Sequence, residues 1–261
     1  MNNQEIHRII CCTKNLHEKI KIDTMEIKVN ALMLKGVDYK DNDKMLTLYT
    51  LESGLMGACI RGVKKANAKL KFASEPFCFG EYVLSVNADR ATVISATEIE
   101  SFYNLRLNIL SYYCATAISE FLLKYGAEGG DEPLFMLAIN TIKRLNFEQN
   151  DQKRLLVEFI FSALNLLGYG IKCNGCSKCH LPAHLSEYSY FDFGSGELLC
   201  EECAEAGATR ILSATADGLQ SLLLGDDISA ETLNYLLKFF NYYLELKIGE
   251  PLNTIKEILP L

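Results

Sequence analysis

The residues of this sequence with the clearest chemistry are Cys173, Cys176, Cys179, Cys200 and Cys203, half of the chain's ten cysteines gathered into one stretch. A Cys-x-x-Cys pair sets two thiolates on one tight turn, and a second pair after a loop of about twenty residues completes a tetrahedron around one Zn2+. Cys173, Cys176 and Cys179 form two overlapping pairs, so five thiols compete for four places. Spacing alone leaves open which of the first three is spare. The run from Tyr188 to Cys200 turns at Gly194-Ser195-Gly196 and reads as a β-hairpin that carries Cys200 back beside the first knuckle, the build of a zinc ribbon. The polar residues flanking three Cys-x-x-Cys pairs argue for metal over disulfides or buried apolar thiols.

A catalytic zinc needs an open coordination position and a nearby general base, whereas four thiolates close the shell. His180 and His184 lie beside the knuckle, but no residue separates Cys179 from His180, which is too short a link to wrap a metal. Both histidines read as surface residues. The His-x-Glu and Pro-Cys-x-x-Cys signature of zinc deaminases is absent. The cysteine stretch therefore points to one structural ion, with no catalytic residues, no enzyme activity and no small-molecule substrate.

Around this stretch the chain is an ordinary globular sequence of 261 residues, 49% apolar and 23% charged, long enough for two or three modules. It has no run of eighteen apolar residues, and Ile9-Ile10-Cys11-Cys12 is too short for a signal-peptide core. These features predict a cytoplasmic protein without membrane contact. In a reducing compartment Cys11, Cys12, Cys59, Cys78 and Cys114 are free thiols, the last three in core positions.

The net charge of −7 is unevenly spread: residues 25–100 hold ten acids and ten bases, whereas residues 201–261 hold ten acids and four bases. Within the neutral block Arg61, Lys64, Lys65, Lys69 and Lys71 form a run with no acid from Ile60 to Ala73. Fields are screened over about 8–10 Å, so a local positive patch survives a negative total.

Five strand-like runs, near 27–34, 44–50, 55–61, 77–85 and 91–96, are joined by turn-rich links. Five short antiparallel strands in about seventy residues suit a small closed barrel of the OB-fold type, with an SH3-like barrel as competitor. Residues 1–24 precede this pattern as an N-terminal extension, and Met25 is a candidate start. From Phe102 to Tyr125 an apolar 3.6-residue period predicts a helix, with Gly126 as a left-handed cap. Further helices are expected over 131–146, from 151 to 167, over 214–224 and over 230–248. The expected fold is α+β: an OB-fold barrel over 25–100, then a helical domain over 101–261 with a zinc-ribbon insertion at 171–206.

This order of modules resembles the RecO family of recombination mediator proteins. The likeness rests on Val29-Asn-Ala-Leu-Met-Leu34 followed by Tyr39-Lys-Asp-Asn-Asp-Lys-Met-Leu46, and on Arg61-Gly-Val-Lys-Lys65. Its sharpest strings are Leu166-Leu-Gly-Tyr-Gly170 and Gly194-Ser-Gly-Glu-Leu-Leu-Cys-Glu-Glu-Cys203. It covers roughly residues 25–250. In the family pattern the first metal cysteine falls about six residues beyond the Gly-Tyr-Gly, which implies the quartet Cys176, Cys179, Cys200 and Cys203 and leaves Cys173 as the alternate.

The resemblance further implies a cytoplasmic, nucleoid-associated bacterial protein that binds single- and double-stranded DNA and anneals complementary strands. It also implies help in loading a recombinase onto strands coated by single-strand-binding protein. The implied partners are the RecR protein and the acidic C-terminal tail of the single-strand-binding protein. Lysines and arginines neutralise backbone phosphates while aromatic faces take exposed bases. The first task falls to Arg61, Lys64, Lys65, Lys69 and Lys71, supplemented by Lys35, Lys40 and Lys44. Tyr39 and Phe72 are candidate stacking residues, Phe72 with a competing core role. Lys143-Arg144 and Lys153-Arg154 are candidate cations for the acidic tail. The competing reading is a zinc-stabilised protein-interaction module without DNA affinity of its own.

Overall fold

The computed structural model describes residues 25–87, 90–126, 129–148, 151–182 and 188–261. The N-terminal extension, with Cys11 and Cys12, and His184 lie outside these residues. Among the described residues no helix is long and apolar enough to cross a membrane.

Strands β1 (Met25–Tyr39), β2 (Asp43–Thr50), β3 (Gly54–Ile60), β4 (Phe79–Asn87) and β5 (Arg90–Glu100) close a barrel in the order β1-β2-β3-β5-β4. All pairs are antiparallel except β3 and β5, which meet through Ala58↔Ala91 and Cys59↔Thr92. Five strands with this closure are the OB-type barrel that the turn spacing predicts.

Strand alternation divides the barrel's residues between two cores. Ala31, Met33, Leu46, Leu48, Ala58, Ile60, Leu84 and Val93 fill its interior. Leu32, Leu34 and Tyr49 point outward and are buried in the core of the helical body. A bulge at Leu34, between the pairs Met33↔Leu48 and Lys35↔Thr47, keeps the outer face in phase. The outer face is thus covered by helices at one end and open at the other.

The helical body comprises α1 (Ile109–Tyr125), α2 (Glu132–Phe147), α3 (Gln152–Leu166), α4 (Ser213–Leu224), α5 (Ala230–Ile248) and the short α6 (Ile255–Ile258). Phe135 of α2 stacks on Tyr49 at 5.9 Å and meets Phe79 edge-on at 6.1 Å, which joins helix to barrel. Asp131 and Ser229 cap α2 and α5 by accepting from the N–H groups of Leu134 and Thr232.

Two expectations are corrected here. The helix predicted from Phe102 begins at Ile109. Phe102 sits in the left-handed region at φ 48°, a 3-10 turn follows over Tyr103–Leu107, and Asn108 then caps α1 by accepting from Ser111 N–H. Gly126 is extended, not left-handed, at φ −68° and ψ 123°. A Cβ there would lie 2.5 Å from Leu122 O and 2.9 Å from the Tyr49 ring, so close packing explains this glycine.

Candidate metal centre and nucleic-acid interface

Between α3 and α4 the chain leaves the helices and builds a small three-stranded sheet, β6 (Tyr188–Asp192), β7 (Glu197–Leu199) and β8 (Thr209–Leu212), in the order β7-β6-β8. The β6–β7 hairpin turns where Gly194-Ser195-Gly196 predicts, with Asp192 opposite Glu197. Asp192 holds the turn by accepting from Gly194 N–H at 2.7 Å and from Ser195 Oγ at 2.9 Å. β8 is not marked in the sequence, because Thr209-Arg-Ile-Leu212 is short and has little alternation.

The hairpin is anchored from below. Phe191 is fully buried, with its ring centroid 4.9 Å from Phe239 and 6.0 Å from Tyr243 of α5. Lys172 runs beside Glu197, donating N–H to Gly196 O at 2.9 Å and accepting from Leu198 N–H at 3.1 Å. This pairing sets the first knuckle against the hairpin. Cys176 N–H donates to Leu181 O, Ser177 N–H to Leu198 O and His180 N–H to Cys176 O, each at 2.8–2.9 Å. His180 takes a left-handed φ of 61° to close the turn, and its side chain is exposed.

These constraints bring Cys176, Cys179, Cys200 and Cys203 together, with all four Sγ atoms within 4.8 Å of one another. Cys179 Sγ and Cys200 Sγ are 3.7 Å apart, close to the ~3.8 Å edge of a tetrahedron with 2.3 Å metal–sulfur bonds. Burial pushes the Cys176 thiol up, but the N–H groups of Cys179, Cys200 and Lys178 point at its sulfur and bring it down to about 6. Cys203 is pushed up to about 12, first by its hydrogen bond with the Cys200 sulfur. Four sulfurs within 4.8 Å of one another, with backbone N–H groups turned toward the Cys176 sulfur, form a pocket shaped for a cation. The donor set fits a metal ion that prefers sulfur and tetrahedral geometry.

Cys173 is not among the four. It is 2% exposed within the helical core, donates its Sγ–H to Leu219 O at 3.3 Å, and is pushed up to about 11 by burial. Cys78 and Cys114 are core thiols as the sequence predicts, whereas Cys59 is only half-buried and lines a surface groove.

That groove lies on the open end of the barrel's outer face. It has a volume of about 390 Å3 and is lined by Tyr39, Lys40, Asp43, Met45, Gly57, Cys59, Arg61, Arg90, Ala91 and Thr92. Of the cations singled out in the sequence, Lys40 and Arg61 line it. Lys35, Lys65, Lys69 and Lys71 are exposed on β1 or the β3–β4 connection, and Lys44 is half-buried on β2. Lys64 is held 2.6 Å from Asp38, whose carboxyl it keeps below the usual range, first through that hydrogen bond. Gly62 N–H donates to Asp43 Oδ1 and Lys64 N–H to Asn42 O, so the basic connection is tied back onto the β1–β2 turn. Phe72 packs against the barrel core, while Tyr39 is 44% exposed in the groove. Arg90 is the cation the sequence reading passes over. The convergence of the β1–β2 and β4–β5 turns at one end of an OB barrel is the signal that finds it.

The helical cations are differently placed. Arg144 is paired with Glu148 and Glu158, Arg154 with Glu158 and Asp227, and Lys153 donates to Asn234 Oδ1. Lys143 is exposed and has no such partner among the described residues.

The chain matches the family described as recombination protein O, its N-terminal part over residues 25–103 and its C-terminal part over residues 106–255. It is 30% identical over 200 residues to the DNA repair protein RecO of Clostridium novyi, covering 75% of this chain and 76% of that protein. It is 26% identical over 235 residues to the DNA repair protein RecO of Desulforamulus reducens, covering 85% and 91%. The protein of the same name from Bacillus pumilus is 28% identical over 207 residues, covering 78% and 79%.

Proposed function

The chain belongs to the RecO family, and from that premise we propose that it is a DNA-binding recombination mediator acting in DNA repair. In this reading it binds single- and double-stranded DNA, anneals complementary strands and helps load a recombinase onto strands coated by single-strand-binding protein. It makes and breaks no covalent bond. Its partners are RecR and the acidic C-terminal tail of the single-strand-binding protein, with Lys143 the helical cation best placed to meet the tail. The working modules are the barrel over 25–100 and the helical domain over 101–261, with the ribbon inserted at 171–206. The site of action is cytoplasmic.

One observation carries the reading: a chain of net charge −7 displays Arg61, Lys65, Lys69 and Lys71 in solvent along the β3–β4 connection of an OB-type barrel. No acid interrupts that run in sequence. Such a patch neutralises backbone phosphates and releases their counterions. The four-cysteine centre holds one Zn2+ as a brace, since four thiolates leave no position for a reacting group.

The test is binding and annealing by the full chain. Substituting Lys65→Gln and Lys69→Gln together is expected to weaken single-strand binding and to lower the slope of log affinity against log salt by roughly 1.4, at about 0.7 per phosphate contact. Wild-type protein is expected to speed annealing of complementary strands coated with the cognate single-strand-binding protein. Unchanged affinity and slope in the double variant would remove the barrel loop from the DNA site. The acidic total also supports the competing reading, an interaction module without DNA affinity. The absence of any mobility shift of a labelled oligonucleotide with the full chain would favour it.

A further inference from the structure

We infer that the cavity between the start of α1 and the end of α2 is a docking site for an uncharged, apolar peptide segment of a protein partner, separate from the contacts with DNA and with the acidic tail. The cavity has a volume of about 310 Å3, and its walls include Leu107, Asn108, Ser111, Asn146 and Phe147. That size lies at the small end of ligand pockets, ~300–1,000 Å3.

A polar residue stands where the core calls for an apolar one. α2 buries Ile139, Ile142 and Leu145 in the helical core, and Asn146 continues that buried face. Asn146 is 8% exposed, and its Oδ1 accepts no hydrogen bond among the described residues. A buried amide oxygen without a donor costs stability, a cost that a ligand bringing the donor removes. α1 starts at the same cavity, with its cap Asn108 and its third residue Ser111 both in the wall. Asn108 Oδ1 is already taken by Ser111 N–H at 3.0 Å, whereas the first-turn N–H groups of Ile109 and Leu110 have no intrahelical acceptor. An acceptor beside donors matches the two halves of a peptide group.

The surround is apolar and carries no free charge. Leu107 and Phe147 line the cavity at 73% and 58% exposed, and Tyr103 and Ile109, at 59% and 62%, adjoin its lining residues Asn104 and Asn108. Large apolar side chains grouped in this way mark a contact surface. No lysine or arginine lines the cavity, and its one carboxylate, that of Glu148, is engaged by Arg144 at 3.0 Å. An acidic segment finds no cation in the wall, and a basic one finds a carboxylate already paired. The complementary partner is an uncharged stretch of chain whose apolar side chains cover the rim while one of its amide groups meets Asn146.

The probe is a phage-displayed library of random octapeptides, panned against the full metal-loaded chain, with the enriched sequences made as synthetic peptides and titrated by fluorescence anisotropy. Enrichment of uncharged sequences with apolar side chains is expected. Leu107→Ser trims a side chain that is mostly in solvent and leaves folding alone; it is expected to weaken the selected peptides about tenfold through lost apolar contact. Asn146→Leu keeps the branching of the side chain and removes the acceptor, and a similar loss of about tenfold is expected. Because that variant also removes a buried unpaired oxygen, its melting temperature is expected to rise by a few degrees while binding falls. Lys143→Gln, outside the cavity wall, is expected to leave these affinities within about twofold. Enriched peptides that are acidic and depend on Lys143 would overturn the proposal in favour of the acidic-tail contact. Peptides that ignore both Leu107→Ser and Asn146→Leu, or a library that yields no enrichment, would also overturn it. A lower melting temperature for Asn146→Leu would show that the amide serves the fold and would remove the reason for a ligand.

Discussion

Cys173 and Cys176 lie three residues apart at the same spacing as a metal-binding pair, yet their surroundings give them opposite chemistry. Cys173 meets apolar side chains and one carbonyl, and burial pushes its thiol up to about 11. Cys176 meets burial as well, but three backbone N–H groups converge on its sulfur and hold it near 6. Spacing could not separate the two, because it states how far apart thiols lie along the chain and not which backbone donors face them. Only the likeness to a known pattern, counted from Gly168-Tyr169-Gly170, favours the quartet that the structure gathers. Cys173→Ser is therefore expected to keep a full complement of metal, about one ion per chain by elemental analysis. Its stability cost is ~1–2 kcal/mol, for a polar group placed in an apolar setting with one acceptor. Cys200→Ser is expected to lose most of the metal and to lower the melting temperature by more than Cys173→Ser does, because binding at a closed site contributes to folding directly. Metal lost in Cys173→Ser and kept in Cys200→Ser would reverse the assignment.

At the scale of elements, the strands were the most readable part of the chain. Each barrel strand alternates between two different apolar surroundings, and turn residues mark its ends. The start of α1 was not readable for a physical reason. Phe102 and Leu105 are as buried as helix residues, at 2% and 0% exposed, so the apolar period runs back through a 3-10 turn without a break. Periodicity reports which side chains are buried, and the backbone that buries them can change beneath it. The cation groove was half readable: the basic run stands out in composition, but Arg90 enters only through the closure of the barrel.

The C-terminal segment is fixed to α1 by a contact that sequence does not show at all. Glu120 accepts from the N–H groups of Asn253 and Thr254 and from the Thr254 hydroxyl, and lies 3.1 Å from Lys124 Nζ. Lys124 also donates to Pro251 O at 2.5 Å, and the Tyr125 hydroxyl donates to Glu250 O. Burial pushes the Glu120 carboxyl up, but the donors from Thr254, Asn253 and Lys124 outweigh it and bring it down to about 2 from 4.5. A folded-state value below the unfolded one means that the stabilisation is present above about pH 4.5 and fades as pH falls toward 2. With the side chain 16% exposed, solvent screening reduces its worth to ~1–2 kcal/mol. Glu120→Gln should thus lower the melting temperature at pH 7 by a few degrees, and the gap to wild type should narrow steadily as both are titrated toward pH 3. A gap that stays constant over that range would show that hydrogen-bond geometry and not charge fastens the segment.

On the scale of the whole molecule, the barrel, the helices and the ribbon hairpin share buried side chains. One continuous apolar core takes Leu32, Leu34, Tyr49 and Phe77 from the barrel, Phe191 and Leu198 from the ribbon hairpin, and the inward faces of α1, α2, α3 and α5. Burying a large apolar side chain contributes about 1.5–3 kcal/mol. The four barrel residues alone then supply an amount comparable with the ~5–15 kcal/mol net stability of a whole domain. A fragment of residues 25–100 would leave all four in water, and closing the barrel would not compensate, because its interior is filled by a different and smaller set of residues. We therefore expect that fragment to be insoluble or to lack the fixed tyrosine environment seen by near-ultraviolet circular dichroism. The full chain should unfold in one calorimetric transition, and stripping the metal with a strong chelator should lower that single transition as a whole. A soluble fragment with a cooperative melt, or a full chain whose ribbon melts apart from its barrel, would show that the shared core is a contact between self-sufficient domains.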